Sequence, residues 1–176
     1  MKHFIGIVPP PDIYQTVVDI QKPFGDNRLE PQITLRPPVI VTDQAGWIKA
    51  IEDVCNTFER IHISLPAAGN FGNRVLFIDV KSKGLNALHT ALLKAVKPYE
   101  KIENQQEDNR PFNPHLTLGR SWCGFTRDDF AAMKILANDY LAKTPVSFNV
   151  ETLRIYHKPK GHGPYETLKD VPLKAI

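Results

Sequence analysis

The sequence predicts an α+β fold: one bilobal domain over residues 1–176, built from approximate repeats 1–73 and 74–176. Two mostly antiparallel sheets are expected, with helices packed outside and a central cleft. Three observations lead there. A short stretch occurs twice, Pro31-Gln32-Ile33-Thr34-Leu35 and Pro114-His115-Leu116-Thr117-Leu118, 83 residues apart, and self-similarity near half the chain length suggests duplication. Each copy lies on a strand between two amphipathic helical segments. The length of 176 residues and an apolar fraction of 42% suffice for a buried core.

In chain order, Phe4 to Val8 is an apolar run that reads as a buried strand, and Pro9-Pro10-Pro11 leads into a helix carrying Ile13, Val17 and Ile20. The pattern breaks over 23–28. A strand from Gln32 to Arg36 follows, closed by Pro37-Pro38, and 44–58 places Trp47, Ile48, Ile51, Val54, Cys55 and Phe58 at helical spacing. A strand over 60–66 contains His62, and 67–73 reads as a Gly-rich turn. The second half opens with an alternating strand over 74–81. A helix with Leu85, Leu88, Leu92, Val96 and Tyr99 comes next, then a polar loop over 103–110 and the His115 strand. Thr126 with Asp129 resembles a capping box for a helix carrying Phe130, Met133, Ala137 and Leu141. The ranges 146–156 and 165–173 read as two strands joined by a turn over 158–164. Sequential order is therefore strand, helix, strand, helix, strand, repeated with one further strand.

The chemistry is placed on the repeated strands. Leu116 and Leu118 alternate with His115 and Thr117, so the histidine and the threonine share one strand face. A titratable imidazole beside a hydroxyl suits work on a phosphate ester, the histidine moving a proton while the threonine binds a phosphoryl oxygen. In the first copy Thr34 repeats the hydroxyl, but Gln32 stands where His115 stands in the second. The segment His62-Ile63-Ser64-Leu65 is a rival first motif, disfavoured because its proline, Pro66, lies on the wrong side.

Net charge of +3 and a pI near 8.8 suit a phosphate-bearing ligand but fall far short of a chromatin-type binder. Cys55 and Cys123 are too few for a disulfide framework and lack zinc spacing; both are expected as buried thiols of a reducing cytosol. Prolines stop the N-terminal apolar run too early for a signal peptide or membrane span, so a cytoplasmic protein with no membrane association is expected.

The stretch Arg110-Pro111-Phe112-Asn113-Pro114-His115-Leu116-Thr117-Leu118-Gly119-Arg120, the copy at 31–36, and the tail pattern Leu153-Arg154-Ile155-Tyr156 with Tyr165-Glu166-Thr167-Leu168 resemble the two-histidine phosphoesterases. That group contains the bacterial 2'-5' RNA ligases and cyclic phosphodiesterases, and the similarity covers almost the whole chain. It implies a bilobal fold with both His-x-Thr/Ser motifs lining one cleft, no metal and no cofactor. One histidine acts as general base and the other as general acid. His115, Thr117 and Thr34 are then the catalytic set, with Gln32 and Arg120 binding substrate. The partner implied is an RNA end or small nucleotide with a 2',3'-cyclic or 2'-phosphate, met by a monomer. Because a carboxamide cannot exchange a proton usefully near neutral pH, two readings stand: an enzyme impaired at Gln32 unless His62, His157, His162 or His3 substitutes, and a non-catalytic binding module for a phosphorylated nucleotide or RNA end.

Overall fold

A computed structural model describes residues 1–24, 30–101 and 110–175. The loop expected over 103–110 lies outside these residues except for Arg110, as does most of the break over 23–28. Nine strands and four α-helices follow one another among the described residues: β1 (Lys2–Ile7), α1 (Pro11–Gln21), β2 (Ile33–Ile40), α2 (Gln44–Cys55), β3 (Ile61–Ser64), β4 (Ala68–Phe71), β5 (Val75–Asp79), α3 (Leu85–Val96), β6 (His115–Arg120), α4 (Arg127–Lys143), β7 (Ser147–Val150), β8 (Thr152–His157) and β9 (Glu166–Pro172). This is an α+β fold. Seven strands form one sheet in the order β4-β5-β6-β2-β1-β8-β9, and β3 pairs with β7 in a second, two-stranded sheet. All pairings are antiparallel.

The helices begin where local chemistry starts them. Pro11 opens α1 at the first helical position, where a missing N–H costs nothing. The Asp43 carboxylate accepts the Gly46 N–H at 3.0 Å to start α2. Thr126 and Asp129 close the capping box that the sequence suggests for α4. Each helix then buries a stripe: Ile13, Val17 and Ile20; Trp47, Ile51 and Cys55; Leu85, Leu88, Leu92 and Val96; Phe130, Met133, Ala137 and Leu141. Contacts run between α1 and α4 and between α2 and α3. These stripes share one core with Ile33 and Leu116 of the large sheet. Residues of β2 and β6 that alternate with Ile33 and Leu116 project from the other face.

Four expectations change. The strand expected to close at Pro37-Pro38 runs through both prolines to Ile40. The range 67–73 contains β4, paired with β5 as a hairpin, rather than a turn alone. The single strand expected over 146–156 is two strands in different sheets, β7 on β3 and β8 on β1. Cys55 is buried, its thiol pushed up to about 12 chiefly by burial, but Cys123 is exposed.

Candidate functional site

The two motif strands are neighbours in the middle of the large sheet. They run antiparallel with Ile33 opposite Leu116, and continuing that register sets Thr34 beside His115 and Gln32 beside Thr117. An approximate two-fold axis through the Ile33–Leu116 pair thus gives each motif's first residue the other motif's threonine as neighbour. Since Ile33 and Leu116 are fully buried in the core, the four polar side chains share the opposite face.

Each motif strand then carries the same irregularity. Between β5 and β6 the register steps from Phe77↔Thr117 to Leu76↔Gly119, leaving Leu118 as an extra residue. Between β1 and β2 it steps from Gly6↔Thr34 to Ile5↔Arg36, leaving Leu35 extra. A bulge exchanges the faces of everything beyond it. Gly119 therefore turns to the core, where an added Cβ would lie 3.2 Å from Phe130 and 3.3 Å from Phe125. Arg120 turns to the open face and lines a cavity with Thr117 and Gln32. In the first motif Arg36 turns inward and is buried against Glu100, which also accepts Trp47 Nε1–H at 3.1 Å. Arg36 and Arg120 thus have unlike surroundings despite their similar places after the motifs.

His115 is held by its backbone neighbour and two aromatic rings. Its Nδ1 lies 2.8 Å from the Asn113 carbonyl; a carbonyl can only accept, so Nδ1 carries the proton and Nε2 of the neutral ring keeps its lone pair. Phe71 and Phe77 stand 5.2 and 5.1 Å from the imidazole, centroid to centroid. Burial lowers its pKa below the ordinary histidine value, and the Arg120 charge acts in the same direction, against the Asn113 carbonyl and Asp79. Near neutral pH the ring is a free base. Gln32 is buried, and its carboxamide pairs with the Thr34 hydroxyl, Nε2 to Oγ1 at 3.0 Å. Gly6 makes room for it: a Cβ there would come within 2.6 Å of Gln32 Oε1.

Two cavities flank this centre. One, of about 510 Å³, holds His115 and Thr34 with Phe71, His89, Arg110 and Phe112. The other, of about 870 Å³, holds Gln32, Thr117 and Arg120 with Gln21, Glu30 and His162. The other candidate histidines are dispersed. His62 is exposed on the two-stranded sheet with Asn149 at 3.2 Å. His3 is buried against Gln44 and Trp47, with the His157 ring 6.1 Å away. His162 alone of these lines the larger cavity.

Three residues beyond the sequence expectations belong to these walls. His89 of α3 stacks on Phe112 at 3.8 Å beside the His115 cavity; its place beside Leu88 on the flank of a helical stripe is the only trace it leaves in the sequence. Glu30 accepts from Tyr156 Oη at 2.6 Å and from Arg154 at 2.9 Å, and Arg154 is also gripped by Asp170. The tail residues Arg154 and Tyr156 therefore clamp the segment entering the first motif. Gln21 is 4% exposed and donates Nε2 to the Leu118 carbonyl at 3.1 Å. Among the described residues nothing donates to its Oε1. Among the same residues no group of three His, Cys, Asp or Glu side chains could hold a metal ion, and no helix is long and apolar enough to cross a membrane.

A family model described as the 2'-5' RNA ligase superfamily matches residues 9–162. Among solved structures, TT0787 of Thermus thermophilus is similar with a TM-score of 0.72 at 19% identity, over 99% of this chain and 98% of that one. E. coli LigT complexed with 3'-AMP is similar with a TM-score of 0.62 at 18% identity, over 99% and 98%. E. coli LigT complexed with NADP+ matches with a TM-score of 0.62 at 18% identity, again over 99% and 98%. These likenesses concern the fold. No curated protein sequence matches the chain.

Proposed function

From the premise that the chain belongs to the 2'-5' RNA ligase superfamily, we propose that it acts on phosphate ends of RNA or nucleotides. The activity is 2'-5' RNA ligase-like or 2',3'-cyclic phosphodiesterase-like, carried by one bilobal, cytoplasmic, monomeric domain of two related halves, 1–73 and 74–176. The observation that carries this reading is the adjacency of β2 and β6. It gives one open face two threonine hydroxyls, a neutral imidazole and a guanidinium.

In hydrolysis of a cyclic phosphate, Thr34 and Thr117 donate to the non-bridging phosphoryl oxygens and Arg120 offsets charge gathering on them. His115 Nε2 takes the proton of the attacking water as the new P–O bond forms. The opposite P–O bond then breaks, and the departing oxygen draws its proton from solvent, because the carboxamide of Gln32 has none to give. Turnover without a second proton donor is slow. As a base, His115 must be deprotonated, and its pKa is lowered. Activity is therefore expected to stay level from about pH 8 down through the ordinary histidine value and to fall only in more acid solution. A rate that rises on acidification would assign His115 the opposite role.

A second reading is favoured by Gln32 itself. Its amide is satisfied by Thr34 and seated over Gly6, an arrangement suited to a non-catalytic binding module for a phosphorylated nucleotide or RNA end. E. coli LigT has been crystallised with 3'-AMP, which makes that nucleotide the natural probe here. Calorimetric titration with adenosine 3'-monophosphate, alongside an assay on 2',3'-cyclic AMP, separates the readings. Slow turnover supports the enzyme; saturable binding without turnover supports the module. Neither binding nor turnover would refute both.

A further inference from the structure

Trp122, at 62% exposure, is the most exposed large apolar side chain among the described residues. It is nevertheless firmly placed. It sits in the 3-10 turn Ser121–Cys123, ended by Gly124 at φ +94, a backbone region that suits glycine. The turn is tied to the residue just before β5 by the Ser121 N–H donating to the Arg74 carbonyl at 2.9 Å. The Arg74 and Arg120 guanidinium carbons lie 5.9 and 6.0 Å from the indole centroid. Trp122 also lines the larger cavity, whose other lining residues include Thr117, Arg120 and Lys158. An exposed indole beside two guanidiniums, at a cavity that Thr117 also lines, has the composition of a single-stranded nucleic-acid track. There, bases stack on rings while cations follow the phosphates.

We propose that Trp122, with Arg74 and Lys158, is a stacking subsite for a nucleotide beyond the terminal one, so that the protein selects single-stranded RNA over mononucleotides. This rests on the phosphate-end reading above. The test compares adenosine 3'-monophosphate with tri-adenylate bearing a 3'-phosphate, which present the same terminal group.

Wild-type protein is expected to bind the trimer roughly 10- to 100-fold more tightly, the range that base–aromatic stacking supports. The trimer should also quench tryptophan fluorescence much more than the mononucleotide does. The only other tryptophan, Trp47, is fully buried, so the quenching reports Trp122. In Trp122→Ala the trimer's advantage should shrink to within about threefold while mononucleotide affinity holds. Trp122→Phe, which keeps a ring, should retain most of it. Equal affinities in the wild type, equal quenching by both ligands, or an advantage that survives in Trp122→Ala overturns the subsite. Mononucleotide binding with no trimer advantage removes the subsite alone. Failure of both ligands to bind removes the phosphate-end reading and the subsite with it.

Discussion

Replacing His115 with alanine is expected to lower turnover of 2',3'-cyclic AMP by about 10²–10⁴-fold, the usual contribution of a positioned acid or base. Affinity for adenosine 3'-monophosphate should change by less than about tenfold, since hydrogen bonds from Thr34 and Thr117 and the Arg120 charge remain. The loss should thus fall on kcat and leave KM nearly intact, the pattern of an interaction made only in the transition state. Because the imidazole packs against Phe71 and Phe77, His115→Gln serves as a second variant that fills the same space without a usable proton. Equal loss in both variants assigns the effect to proton transfer. Full activity in His115→Gln would exclude that role.

The converse change, Gln32→His, is expected to raise cyclic phosphodiesterase activity by about 10² or more. The pairing of β2 with β6 sets residue 32 against Thr117 as His115 is set against Thr34, so an imidazole there would complete a pair related by the local two-fold. Gly6 leaves the space that Gln32 Oε1 now occupies, and Tyr156 and Arg154 hold the preceding Glu30 in place whichever residue follows at 32. The leaving oxygen would then receive its proton from the protein instead of from solvent. Combining Gln32→His with His115→Ala should lower activity by about 10² or more relative to Gln32→His alone, because no base is then left at position 115 to take the proton of the attacking water. Unchanged turnover in Gln32→His, with folding verified by thermal melting, would mean that the cleft lacks more than a proton donor.

Much of this arrangement was legible in the sequence, and the exceptions have physical causes. Period-two alternation places His115 with Thr117 on one face, and repetition at 31–35 points to Thr34 and Gln32 as their counterparts. Arg120 is different. Five residues from His115, an unbroken strand would turn it to the core; the bulge at Leu118 sends it to the cleft, and the matching bulge at Leu35 buries Arg36 against Glu100. Alternation alone carries no mark of a bulge. The β4 segment, Ala-Gly-Asn-Phe, lacks the β-branched residues of a strand and is held by its pairing with β5. Only Glu151 separates β7 from β8, with neither glycine nor proline to announce the change of sheet. Glu30 and His89 reach the cavity walls through tertiary partners, Arg154 and Tyr156 for one and Phe112 for the other, and no local pattern encodes those meetings.

The central claim is that the repeated strands form one phosphate site, and locating a bound phosphate tests it most directly. A crystal structure of the protein with adenosine 3'-monophosphate is expected to place phosphoryl oxygens within hydrogen-bond distance of the Thr34 and Thr117 hydroxyls, about 2.5–3.0 Å. His115 Nε2 and Arg120 should face the same group. A phosphate seated instead beside His62 on the two-stranded sheet, or bound without either threonine, would contradict the account.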